Sequence, residues 1–336
     1  MTAPTVSVVL PAYQAEKHLA EAVQSILDQT FTDFELLIIN DGSTDRTAEI
    51  IQSFEDKRIV HIRHAENQKL IASLNEGIAQ ARGKYIARMD ADDISHHTRL
   101  QKQVEFLDAH PAVGILGTAA CFFRSSSSRH NQIILTEDAE LKSRFLFANP
   151  FNHPSVMIRK SVLAEHGLSY SSVFIHAEDY ALWMELMERC DFANLPEILL
   201  DYRYSDDQVT VKHKSTVLES VRKIHHAVLN KIGINPTADQ ADIHEIIFTE
   251  DFHRGTGFAA SAEAWLKQLL AANESSGYFP KQEFQKRIGK TWFIVCTSLA
   301  SAKEKTHKAY NASSLSALYR PSSSDALKFR LKQWLK

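Results

Sequence analysis

The sequence predicts an α/β fold, a mostly parallel sheet flanked by helices, followed by a C-terminal helical region. Three observations carry this. Over roughly the first hundred residues, short β-branched runs alternate with amphipathic helical stretches. Turn-rich segments at 11–13, 40–45 and 90–93 each close a strand-like run, on the edge where open α/β sheets bind ligands. From about residue 217 helical periodicity dominates. A chain of 336 residues, 44% hydrophobic, suits one large and one small unit, drawn here as 1–215 and 216–336.

Residues 6–10 and 35–39 read as the first two strands, and Leu19, Val23, Ile26 and Leu27 share one face of the helix between them. The turn 41–45 then offers Ser43 or Thr44 as N-cap of a helix starting near Asp45. A third strand at 58–62 leads to a helix over 70–82, ended by Gly83 as a left-handed terminator. Residues 84–89 form the next buried strand. A helix over 98–110 stops before Pro111, a strand resumes at 113–118, and the serine tract 125–128 reads as a mobile loop. Further on, 155–158 is a strand and 180–189 a helix.

Composition narrows the function classes. Lys and Arg number 38 against 41 Asp and Glu, a net charge of -3, which disfavours a nucleic-acid backbone as partner. Cys121, Cys190 and Cys296 show no CxxC spacing and read as buried thiols in a reducing compartment. No signal-peptide pattern opens the chain, and the apolar run 292–300 is about half the roughly 20 residues needed to span a bilayer, so a cytoplasmic protein is expected. His244-Glu245 and His253 do not make HExxH, and with His96-His97 and His225-His226 they are assigned to solvated faces. Neither GxGxxG nor GxxxxGK[ST] is present, which argues against a dinucleotide-binding dehydrogenase and a P-loop enzyme.

The most informative segment is Asp90-Ala91-Asp92-Asp93. Alternate carboxylates at a strand end present hard oxygen ligands suited to Mn2+ or Mg2+. The same residues would also serve as an acidic turn before the next helix. Pro11-Ala12-Tyr13 and Asp41 fall on the same predicted edge, where an aromatic ring can stack on a base and a carboxylate can accept the N3–H of uracil.

In the order VSVVLPAYQAEKHLAEAVQSILDQTFTDFELLIINDGSTDRT, LNEGIAQARGKYIARMDADDIS, RLQKQVEFLDAHPAVGILGT, NHPSVMIRKS and AEDYALWMELM, residues 5–205 resemble the inverting glycosyltransferases of family 2, whose catalytic domain has the nucleotide-binding, Rossmann-like GT-A fold. The resemblance implies transfer of a sugar from a UDP-sugar to a glycan or lipid-linked acceptor, the alternatives being a sugar nucleotidyltransferase and a non-catalytic sugar-nucleotide or glycan-binding module of the same fold. It implies that Pro11, Ala12, Tyr13, Asp41, Asp90 and Ala91 line the nucleotide, that Asp92 ligates the metal, and that Asp179 of the Glu178-Asp179 pair is the general base. His153 and Arg203 fall in matching segments as further site members. Three departures stand out: Ser205 where relatives often carry a histidine, Lys69 where a glycine is frequent, and Glu185 where an arginine is frequent.

At the C-terminus Ser322 to Ser324 are placed to cap a helix on which Leu327, Leu331, Trp334 and Leu335 gather, with Lys328, Arg330, Lys332 and Lys336 around them. Such a helix suits either packing on the protein, including another subunit, or peripheral contact with a membrane through 322–336.

Overall fold

The structure is a computed structural model that describes residues 3–125, 128–204, 212–252, 257–301 and 306–334. It comprises two compact units, one of residues 1–138 with 151–221, the other of 139–150 with 222–336. The division falls a few residues beyond the boundary expected from the sequence, and the short segment 139–150 joins the second unit.

The first unit is built on one sheet. Its strands are β1 (Val6–Ala12), β2 (Phe34–Asn40), β3 (Ile59–Arg63), β4 (Tyr85–Arg88), β5 (Ile94–Ser95), β6 (Val113–Ser125), β7 (Ser128–Asn131), β8 (Met157–Arg159) and β9 (Asp191–Arg203). The order is β3-β2-β1-β4-β8-β6-β9-β5, with β7 paired to β6. The first four pair in parallel, β8, β5 and β7 run against their neighbours, and six of the nine therefore point the same way. β1 and β2 are buried along their whole length, as expected of central strands covered on both faces. Helix α1 (Leu19–Leu27) buries Leu19, Ala22, Val23 and Ile26, a stripe at helical spacing, and α2 (Thr47–Gln52), α3 (Leu70–Gln80) and α4 (Arg99–Ala109) follow in the β-α alternation the sequence predicts, with α6 (Lys160–His166) and α7 (Glu178–Leu186) later in the unit.

Several local expectations are corrected. The hydroxyls of Ser43 and Thr44 bond to Gln14, and it is the Asp45 carboxylate that accepts the Thr47 N–H at the start of α2. Gly83 does not end α3, whose C-cap is Ala81. A Cβ at Gly83 would sit 2.6 Å from the Ser7 nitrogen, so the residue is small to let the chain meet β1. At the ends of the serine tract Ser125 pairs with Ser128 between β6 and β7, and residues 126–127 lie outside those described. Segment 153–155 forms a 3-10 turn (His153–Ser155), so β8 starts two residues later than expected.

The second unit is helical: most of α5 (Asp138–Arg144) and α8 (Lys214–Lys231), then α9 (Ala238–Thr249), α10 (Phe258–Ser276), α11 (Lys281–Ser301), α12 (Thr306–Ala312) and α13 (Ser323–Trp334). Its core includes Trp265, Trp292, Phe279 and Phe284, the two phenylalanines stacked 4.7 Å apart. His225 and His244 are buried in it, ring against ring, and the Trp265 Nε1–H donates to His244 Nδ1 at 3.1 Å. Their assignment to solvated faces is therefore wrong; burial drives both pKa values down and holds the rings neutral. His253 lies outside the described residues.

On α13 it is Phe329 that packs inward, against Phe293 and Tyr310, leaving Leu327 and Leu331 57% and 49% exposed. Ser322 Oγ accepts the Asp325 N–H as the cap. Leu335 and Lys336 lie outside the described residues. Cys121 and Cys296 are buried, Cys190 partly so, and none of the three forms a disulfide. Among the described residues no helix is long and apolar enough to cross a membrane.

Candidate active site

Parallel register brings the ends of β1, β2, β3 and β4 to one edge. Ala12 lies beside Asn40, Asn40 beside Arg63, and Met89 donates to the Val9 carbonyl at 3.1 Å. Pro11 and Ala12 are buried where β1 ends, and Tyr13, the next residue, is 50% exposed at the rim. The chain beyond β1 is stitched to the chain beyond β2: Gln14 Oε1 accepts the Thr44 and Asp45 amides, and Ala15 donates to Thr47 Oγ1.

At the β2 end, Asp41 is 3% exposed. Its Oδ1 accepts from His64 Nδ1 at 2.7 Å and the Gln68 N–H at 2.8 Å, and its Oδ2 from the Lys69 N–H at 2.9 Å. One lone pair on Oδ2 remains of the four sites a carboxylate offers. Gly42, at φ 67°, admits this loop: a Cβ there would come within 2.5 Å of the Glu66 carbonyl carbon. His64 also reaches Glu76 through Nε2 at 2.5 Å. Burial works against its charge, yet the hydrogen bonds to Asp41 and Glu76 raise its pKa overall. Lys69 adopts φ 77° and ψ 162°, a region that belongs almost wholly to glycine, and its N–H is held by Asp41 and Asn67.

Beyond β4, Asp90, Asp92 and Asp93 each place a carboxylate oxygen within 4.8 Å of the others. Ala91 between them packs on the core. From β9, Arg203 donates its N–H to Asp93 Oδ1 and its Nε–H to the Asp92 carbonyl, both at 2.8 Å, and reaches Glu21 at 2.6 Å. Buried Arg99 ties the Arg88 carbonyl at 3.0 Å to the Pro154 carbonyl at 2.8 Å. Burial first, and Asp90 second, push the Asp92 pKa up to about 6; the same causes, with Asp92 added, raise Asp93 well above the carboxylate range. Three carboxylates this close do not all hold charge without a cation.

Glu178 and Asp179 open helix α7 (Glu178–Leu186), where acidic side chains favour the helix dipole. Glu178 is 5% exposed, and burial, then Asp179 and Asp90, push its pKa up to about 7 against the pull of Arg88. The acid pair and the Asp90 loop thus share one electrostatic field. Asp179 Oδ1 accepts the Tyr180 N–H at 2.7 Å.

His153 bonds through Nε2 to the Tyr170 hydroxyl at 2.8 Å and lies edge-on to Trp183, and burial holds it neutral. Asn75 secures Tyr170 by both backbone groups. Glu185 pairs with Arg189 one turn on, and Ser205 lies outside the described residues.

Sequence reasoning missed His64, Arg88, Arg99 and Tyr170. Arg88 carried a legible signal, being a charge inside a strand otherwise reading as buried. The others are set by tertiary partners and left none.

The family described as Glycosyl transferase family 2 matches residues 7–167. An uncharacterized glycosyltransferase of Haemophilus influenzae is 33% identical over 74% of this chain and 81% of its own. The Escherichia coli O-antigen biosynthesis glycosyltransferase WbnJ is 30% identical over 59% of this chain and 79% of its own. The fold is similar to that of S. aureus TarS residues 1–349 in complex with UDP-GlcNAc, with a TM-score of 0.59 at 19% identity over 98% of this chain and 90% of that one. It is also similar to the mannosyltransferase PcManGT from Pyrobaculum calidifontis in complex with GDP-Man and Mn2+, with a TM-score of 0.54 at 15% identity over 99% and 88%.

Proposed function

The chain belongs to glycosyl transferase family 2, and from that premise we propose that it is an inverting, metal-dependent enzyme moving a hexosyl or N-acetylhexosaminyl group from a UDP-sugar to an acceptor hydroxyl. The supporting observation is the juxtaposition of three carboxylates within 4.8 Å, at the edge that also carries Tyr13 and Asp41, in the field of Glu178 and Asp179.

Each residue has a part in this reading. Tyr13 stacks on the base, above the buried Pro11 and Ala12. Asp41 shapes the base end by holding the Gln68 and Lys69 amides, and offers the remaining Oδ2 lone pair to uracil N3–H. Asp90 and Ala91 face the ribose and diphosphate, and Asp92 is the protein ligand we assign to Mn2+ or Mg2+. The donor set fits such an ion: hard oxygens, close together, with raised proton affinities that a divalent charge would reverse. When bound, the ion would neutralise the departing diphosphate. Asp179 takes the proton of the acceptor hydroxyl as its oxygen attacks the anomeric carbon from the face opposite the leaving group, so one displacement inverts the centre. Arg203 braces the acidic loop through Asp93 and the Asp92 carbonyl, and His153 supports the site through Tyr170.

Residues 1–215 would carry this chemistry, and the helical region 216–336 acceptor, subunit or membrane contacts. The relative named for O-antigen biosynthesis supports a glycan or lipid-linked acceptor in cell-surface polysaccharide synthesis. Exposed Leu327 and Leu331 beside Lys328, Arg330 and Lys332 support peripheral attachment to the inner face of the cell membrane. Donor class is tested by nucleotide release from a panel of UDP-sugars and GDP-mannose with Mn2+. Release from UDP-sugars is expected, and release from GDP-mannose alone would overturn the UDP assignment.

A further inference from the structure

A buried cation is costly unless opposing charge meets it. Arg88, the last residue of β4, is 5% exposed. Its backbone leaves little freedom: the N–H donates to the Val156 carbonyl at 3.0 Å, the carbonyl accepts from Arg99, and the residue is in register with Val9 of β1. The guanidinium pairs with Asp90, its Nε finds no hydrogen bond, and the side chain shares a small apolar cavity with Leu74, Ile158 and Tyr170. It thus meets the acidic loop at Asp90, beside the Tyr170 that bonds His153. Asp90, Asp93 and Glu178 all lie in its field.

We propose that Arg88 is a positioning residue: at the end of β4 its buried guanidinium holds the Asp90 carboxylate toward the donor and is the counter-charge of the acidic loop. This rests on the reading of the acidic loop as the metal and diphosphate site. Asp90 is two residues from Asp92, so without the guanidinium the loop's carboxylates repel and turn outward. The donor then meets a site that must be rearranged before it binds, and preorganisation is lost.

The test is a double-mutant cycle on the full chain, with UDP titrated calorimetrically in the presence of Mn2+. Arg88→Met, which keeps length without charge, is expected to weaken UDP binding tenfold or more, the range typical of groups supporting a metal site. Arg88→Lys keeps the charge without the fork and is expected to lose less. In the Asp90→Asn background Arg88→Met should add under twofold, because Arg88 acts through Asp90. Effects that multiply, or a lowered Tm with unchanged affinity, would make Arg88 a structural cation and overturn the proposal. Should Arg88→Met fail to fold, the same cycle with Arg88→Lys decides it by the same criterion. Asp92→Ala separates the two readings. If it leaves the Mn2+-dependent gain intact, the metal-site reading falls and this proposal with it. If it abolishes the gain while both Arg88 variants bind normally, the Arg88 proposal alone falls.

Discussion

The two ends of the sheet edge solve the same problem, a buried carboxylate, in opposite ways. At the base end Asp41 is satisfied by the chain itself, accepting from His64 and from the Gln68 and Lys69 amides. Beyond β4, Asp90, Asp92 and Asp93 crowd one another, Asp93 Oδ2 is buried without a hydrogen bond, and the proton affinities of Asp92 and Asp93 rise. The first end is complete as folded. The second carries more negative charge than the buried Arg88 beside Asp90 offsets, and a bound divalent cation would supply the rest. A carboxylate committed to the protein and one left crowding its neighbours are thus told apart by where their lone pairs go.

The largest effect expected bears on the reactive end. Asp179→Asn should cut transfer by about 10²- to 10⁴-fold, the range for a lost general base, while UDP binding stays within a few-fold. Comparable loss of UDP affinity in calorimetry would move Asp179 from base to binding residue.

At the base end Asp41→Asn should destabilise the fold by roughly 2–4 kcal/mol, because the amide keeps one acceptor oxygen and its NH2 must face either the Lys69 N–H or the Gln68 N–H and His64. Urea unfolding measures this; an unchanged midpoint would mean that Asp41 is not part of the scaffold.

Glu178→Gln should act in the reverse direction. The folded pKa of Glu178 is raised from 4.5 to about 7, so the native protein keeps a proton that the unfolded chain has released. Its contribution to stability is therefore intact below pH 4.5 and eroded as pH rises toward 7. In EDTA at pH 8 the variant should gain about 1–3 kcal/mol, and at pH 4.5 nothing. A gain independent of pH would remove ionisation as its cause.

The smallest effect concerns Lys69. Glycine there should stabilise the protein by about 1 kcal/mol, relief of the strained backbone outweighing the added freedom of the unfolded chain. A fall in Tm would show that the strain is absorbed elsewhere.

What could be read in the sequence followed a physical divide. Continuous apolar runs such as VSVVLPA and FELLIIN announce buried parallel strands, and the α1 stripe announces its helix, because burial imposes a period on the chain. The acidic loop was legible for the same reason: strand ends are predictable, and carboxylates there are few. Gly83 fits against Ser7, His225 against His244, and Asp41 against a loop beginning 23 residues later, and these partners are remote in sequence. Local pattern assigns the glycine to a helix end and the histidines to a surface, since it has no access to what packs against them. Asp45 displaced Ser43 and Thr44 as the start of α2 because Gln14 claims both hydroxyls. Arg88 shows the useful exception, where a charge breaking a burial pattern marks a place worth inspecting.

The central claim is that the crowded carboxylates are a metal site for a nucleotide diphosphate. Calorimetric titration of UDP into the protein, with Mn2+ and then with EDTA, for the natural chain and for Asp92→Ala, tests it most directly. The account predicts a gain of tenfold or more with Mn2+ in the natural chain and none in the variant; equal affinity under all four conditions would contradict it.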